Sequence, residues 1–94
     1  MSEPLATETL ELALAALPGW KLEGGKLQKT FVFGDFREAF AFLTRVAFEA
    51  EALGHHPEIL NVYKTVHLSL STHDAGGAVT VKDVELAASI EAFL

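Results

Sequence analysis

Between residues 7 and 17, Leu10, Ala13, Leu14 and Leu17 recur at steps of three and four, the spacing of one helix face, with Thr7 placed to cap it. Pro18-Gly19 ends that segment. The spacing then shortens. Trp20–Glu23 and Lys26–Phe33 read as extended runs, and Gly24-Gly25 between them suits a tight hairpin turn, where glycine takes positive φ without steric cost. A second helix opens at Asp35, and Glu38 three residues on completes a capping-box pattern. Phe36, Ala39, Phe40, Leu43, Val46, Ala47, Ala50 and Leu53 then form the strongest helical stripe in the chain, and Gly54 stands where a C-terminal cap belongs. Phe42 and Phe48 fall off that stripe.

Ile59–Tyr63 and Thr65–Thr72 predict two further strands. In the second, Val66, Leu68 and Leu70 alternate with His67, Ser69, Ser71 and His73, giving one apolar and one polar face. The loop Asp74–Ala78 leads to Thr80, which pairs with Asp83 as the cap of a last helix running to about Phe93. The order is α-β-β-α-β-β-α in a single domain over residues 1–94. Hairpin-linked strands with helices covering one face make an α+β fold.

Composition removes several function classes. Half of the 94 residues are hydrophobic and 21% are charged, a globular balance. No apolar run approaches the ~20 residues of a membrane span, and Met1-Ser2-Glu3-Pro4 lacks the basic and apolar regions of a signal peptide. A cytoplasmic protein with no membrane partner is the expectation. With no cysteine, disulfides and thiolate metal sites are ruled out. Net charge is −6 and the 7 Lys and Arg are scattered, which disfavours nucleic-acid binding.

The candidate chemistry lies in four histidines between positions 55 and 73. His55-His56 directly follow the long helix, and Pro57 holds His56 extended. His67 and His73 share a strand face but stand about 20 Å apart at ~3.3 Å per residue, so they do not share one small site. His73 and the His55-His56 loop meet if they lie at the same end of the sheet. The chain has no serine-nucleophile elbow, phosphate-binding glycine loop or catalytic cysteine. Imidazoles titrate near neutral pH, so acid–base chemistry remains, alongside the plainer reading of each histidine as a hydrogen-bonded surface or core residue.

The run from Glu51 through Gly54-His55-His56-Pro57, Asn61-Val62-Tyr63 and Ser71-Thr72-His73 resembles the signature of pterin-4a-carbinolamine dehydratases. The similarity extends to Leu17-Pro18-Gly19-Trp20, to Phe40 through Ala47 in the long helix, and to Asp83, Glu85, Leu86 and Ala87, covering roughly residues 8–93. The resemblance implies a four-stranded antiparallel sheet with helices packed on one face. It implies dehydration of 4a-hydroxytetrahydropterin to quinonoid dihydropterin, in tetrahydrobiopterin recycling, with neither metal nor organic cofactor. By the same resemblance, His55 and His73 correspond to general acids for the leaving hydroxyl. His56 corresponds to a substrate-binding residue with a base function, and Gly54, Ser71 and Thr72 line the pocket with them.

Three further residues keep two readings each. Glu51 either orients His55 or is a solvated helix carboxylate. Trp20 either flanks the pterin or serves the core or an interface. Asp83 either helps position His73 or the pterin, or supplies helix N-terminal charge. The step from His73 to Asp83 is ten positions where the family pattern usually has nine, so Asp83 is expected mainly to cap its helix and bound the site electrostatically. His67 reads as structural. A zinc site built from His55, His56, His73 and an aspartate is awkward, because adjacent histidines in an extended segment point to opposite sides. The rival reading is a protein-binding module, since animal members of the family double as dimerisation cofactors for a homeodomain transcription factor. A homo-oligomer, tetramer or dimer, is expected through the second helix, where Phe42 and Phe48 would otherwise be exposed.

Overall fold

The computed structural model describes residues 3–94; the expectation that Met1-Ser2-Glu3-Pro4 is no signal peptide falls partly on Met1 and Ser2, which lie outside the described residues. The elements are α1 (Thr7–Ala15), β1 (Lys21–Glu23), β2 (Lys26–Val32), α2 (Phe36–Leu53), β3 (Glu58–Val62), β4 (Thr65–Leu70), a 3-10 turn at His73–Ala75 and α3 (Val81–Ala92). The four strands form one antiparallel sheet in the order β1-β2-β4-β3. This is the expected α+β order.

Strand alternation decides which face the helices cover. Leu27 and Phe31 of β2 and Val66, Leu68 and Leu70 of β4 are buried, while Gln28, Thr30, His67 and Ser69 face away from the core. The two glycines of the first hairpin, Gly24 and Gly25, both take positive φ (57° and 76°), matching the twist that a two-residue turn needs. The second hairpin places a non-glycine, Tyr63, at φ 52°, and the Asn61 amide steadies it by donating to the carbonyls of Tyr63 and Thr65 (3.2 and 3.0 Å).

Three local expectations are corrected. Thr7 does not cap α1: the N-cap is Ala6, without a side-chain hydrogen bond. At α2, Asp35 caps Glu38 N–H at 2.9 Å, but the Glu38 carboxylate accepts from Gly34 N–H instead of returning to Asp35, so the box is only half closed. The buried face of α2 is Ala39, Phe42, Leu43, Val46 and Ala50, whereas Phe36, Phe40 and Ala47 are exposed. Phe42 is therefore a core residue and gives no argument for an interface. Its ring lies 4.7 Å from Phe31, 4.9 Å from Phe33 and 5.8 Å from Phe93, centroid to centroid. Those partners come from β2, its exit and the end of α3, so a count along one helix does not see them. Phe48 is exposed, as its position off the stripe predicts.

One polar knot fastens α3 to the other end of the core. Glu91 Oε2 accepts from Trp20 Nε1 (2.9 Å) and Lys29 Nζ (2.6 Å), and Lys29 also donates to the Pro18 carbonyl. Trp20, 4% exposed, packs edge-on against Phe31. At its beginning, α3 carries the full capping box that Thr80 and Asp83 predict.

Candidate active site

The α2 helix ends at Gly54 in the left-handed conformation (φ 63°, ψ 33°), which turns the chain out while His55 N–H still donates to the Ala50 carbonyl at 3.0 Å. That turn sends the His55 ring toward α3. Its Nε2 lies 2.5 Å from Asp83 Oδ1, with the His55 side chain 10% exposed and Asp83 fully buried. Asp83 occupies the third position of α3. Its other oxygen, Oδ2, accepts from Thr80 N–H (2.9 Å) as the return arm of the capping box, and from the Thr72 hydroxyl (2.8 Å). Thr72 and Thr80 are themselves joined, Oγ1 to Oγ1, at 2.6 Å. A buried carboxylate is costly unless its oxygens are hydrogen-bonded; here three donors reach it from three separate parts of the chain.

The capping role of Asp83 is as expected, but its histidine partner is His55 rather than His73. Thr72 sits behind the site. It is 2% exposed, its hydroxyl is committed to Asp83 and Thr80, its N–H donates to Ala78, and its carbonyl accepts from Ala75 and Gly77. It has no free polar group to offer a ligand. His73 follows immediately, exposed, as the first residue of the 3-10 turn. Through Thr72 and Asp83 the end of β4 and the start of β3 are thus drawn to one place, which brings His55 and the backbone before His73 together. Ser71, half-buried, lies on the same stretch.

His56 diverges from His55. Its Nε2 lies 2.6 Å from Glu51 Oε1, and both side chains are open to water, 64% and 77% exposed. Glu51 therefore partners His56 and does not orient His55; of its two readings, the solvated helix carboxylate is the one that fits. His56 borders a groove of about 260 Å³ with Val46, Ala47, Ala50, Pro57 and Ile59. With each histidine directed to its own carboxylate, His55 and His56 do not converge, and among the described residues no three His, Asp or Glu side chains form a metal-ligand set.

His67 lies on the helix-free face of the sheet, between Thr30 Oγ1 (2.8 Å) and Gln28 Oε1 (2.6 Å), away from the Asp83 cluster. Trp20 is a core residue that lines a hollow of about 600 Å³ beside α1 and Val79. That hollow is apolar and no histidine borders it, so the polar cluster around Asp83 is the better candidate for proton chemistry. The sequence reading missed Thr80 as a member of this cluster; its assignment as a helix cap was the available signal, since a cap at α3 fixes where Asp83 sits.

A protein-family model described as pterin 4 alpha carbinolamine dehydratase matches residues 3–93. A protein of Opitutus terrae, provisionally named a pterin-4-alpha-carbinolamine dehydratase, is 55% identical over 87 residues, covering 93% of this chain and 90% of its own. One of Bradyrhizobium diazoefficiens with the same provisional name is 54% identical over 94 residues, covering 98% and 93%. Among solved structures, a transcriptional coactivator/pterin dehydratase from Brucella melitensis matches with a TM-score of 0.89 at 37% identity, over 96% of this chain and 97% of that one. A pterin dehydratase-like protein identified as a RuBisCO assembly factor in the alpha-carboxysome matches with a TM-score of 0.66 at 28% identity, over 79% and 87%.

Proposed function

This chain belongs to the pterin-4a-carbinolamine dehydratase family, and on that premise we propose that it is a hydro-lyase acting on 4a-hydroxytetrahydropterin by histidine general acid–base catalysis. In the reaction the C4a–O bond breaks as the N5 lone pair forms the C4a=N5 double bond. The departing hydroxyl takes a proton from an acid and leaves as water, and the N5 proton passes to a base. The products are quinonoid dihydropterin and water. Each step moves a proton and needs no electron acceptor. Positioned acid–base groups contribute about 10²–10⁴-fold each.

The observation that carries this reading is the largely buried contact of His55 with Asp83, next to the turn that presents His73. His55 and His73 serve as acids for the leaving hydroxyl. His56, on the outer side of the same loop, contributes to binding and to removal of the N5 proton, and Gly54 and Ser71 complete the lining. The protein works in the cytoplasm, in pterin recycling, without an organic cofactor or metal. Among the described residues no helix is long and apolar enough to cross a membrane.

The test is stopped-flow dehydration of freshly generated 4a-hydroxytetrahydropterin in the presence of EDTA. Wild-type protein accelerates the reaction, His55→Ala and His73→Ala each slow it, and His56→Ala chiefly raises KM. Wild-type protein that gives no acceleration over buffer overturns the reading.

A protein-contact role is the second reading, favoured by exposed apolar side chains on α2 and β3. Phe36, Phe40 and Phe48 on α2, and Ile59, Leu60 and Val62 on β3, are between 47% and 69% exposed. Surface of this kind marks association sites. The chain forms a homo-oligomer, tetramer or dimer, through these elements; a monomeric mass by light scattering at micromolar concentration refutes it.

A further inference from the structure

The hydroxyl protons around Asp83 can be assigned one by one. Thr80 Oγ1 accepts from Lys82 N–H at 3.2 Å, leaving its own hydroxyl proton for Thr72 Oγ1. Thr72 has a single hydroxyl proton, and it goes to Asp83 Oδ2. The chain of donors therefore runs one way, Thr80 to Thr72 to Asp83, and the Thr80 N–H adds a second donor on the same oxygen. Both donors fix the carboxylate plane and leave Oδ1 facing His55. A carboxylate only accepts, so the proton in the 2.5 Å contact belongs to His55 Nε2.

The consequence falls on the other ring nitrogen. His55 Nδ1 makes no hydrogen bond among the described residues, and none of their buried side-chain nitrogens or oxygens lacks a partner. Nδ1 is therefore the nitrogen that reaches solvent, although the side chain as a whole is only 10% exposed. We infer that Thr72, Thr80 and Asp83 are positioning residues that hold the His55 proton on Nε2, so that Nδ1 is the atom exchanging protons with the substrate. As an acid, the imidazolium gives its Nδ1 proton to the leaving hydroxyl and returns to the neutral Nε2–H form; as a base, neutral Nδ1 takes up a proton. Thr72 thus acts from behind the site, through Asp83 and His55, rather than as part of the pocket wall. The catalytic part of this inference rests on the dehydratase reading; the tautomer assignment rests on hydrogen bonds alone.

Two measurements on the full chain test it. Long-range ¹H–¹⁵N spectra of protein labelled in histidine report which ring nitrogen is protonated in neutral His55, with the resonance assigned by loss in His55→Gln. Wild type shows the Nε2–H form. Asp83→Asn, whose amide can donate to Nε2, moves the ring to the Nδ1–H form and lowers kcat by a hundredfold or more, as a wrong tautomer does where a carboxylate normally fixes a catalytic imidazole. Thr72→Val, which keeps shape but loses the hydroxyl, gives mixed tautomers and a kcat loss of about tenfold with KM little changed, and Thr72→Ser recovers most of that loss. A wild-type ring in the Nδ1–H form, or a Thr72→Val protein with unaltered tautomer and kcat, overturns the inference. If a variant fails to fold, the wild-type spectrum still decides the tautomer. Absence of wild-type turnover defeats the dehydratase reading instead, and the spectra remain decisive for the positioning chain.

Discussion

His55 and His56 are neighbours in the chain, and each points a ring nitrogen at a carboxylate, at 2.5 and 2.6 Å. Distance makes the two pairs look alike; solvent makes them different. Glu51 and His56 stand mostly in water, where charge attraction is screened and two mobile side chains must be ordered, so such pairs contribute little. Asp83 is fully sequestered and depends on its three donors, so any change that leaves it unpaired, or strands its donors, is expensive. The comparison teaches that a histidine–carboxylate contact becomes a device for controlling a proton only where water cannot substitute for either partner.

The sharpest way to break this contrast is to remove the two carboxylates in turn. Asp83→Ala strands the Thr80 N–H and the Thr72 hydroxyl and takes away a helix cap; a stability loss of about 3 kcal/mol or more is expected from chemical denaturation. Glu51→Ala should change stability by no more than about 0.5 kcal/mol, and a comparable loss in the two variants would erase the distinction. Between these extremes, Thr80→Ala removes the N-cap oxygen and the first link of the donor chain, and should cost about 1–2 kcal/mol in the same measurement. Gly54→Ala forces an alanine into left-handed backbone at a place where its methyl meets nothing within 4 Å, so conformation alone sets the penalty, roughly 1 kcal/mol. The smallest effect is ionic. Raising salt to about 1 M, where the screening length is ~3 Å, should leave the His55 tautomer unmoved; a shift in its ring-nitrogen spectrum would mean that water and ions reach the Asp83 contact.

How much of this the sequence discloses depends on the range of the interaction. Features fixed within a few residues were legible: the Gly24-Gly25 turn, the Gly54 cap, the Thr80–Asp83 capping box and the alternation along β4. The residues of the candidate site were also individually legible, since His55, Thr72 and Asp83 all stand out. Their pairing was not. His55 meets Asp83 across 28 positions and Glu51 meets His56 across five, and both depend on how the loop after α2 leaves its helix and how α3 docks. Periodicity carries no information about either. Phe42 failed for the same reason, because the side chains that cover it come from β2 and α3, and the apolar arc of α2 is wider than the sheet can cover. Thr7 shows the converse error, a residue of the right type one position inside the true helix start.

The Thr80 N–H offers a way to watch the site with no substrate present. It is bonded to Asp83 Oδ2, in a fully buried residue, so it can trade its proton for deuterium only when the first turn of α3 lifts away. The same lift frees Asp83 from both threonines and releases His55. Exchange at this single amide is thus a clock for how often the assembly comes apart, and comparing it with amides in β4 distinguishes a local opening from unfolding of the whole chain.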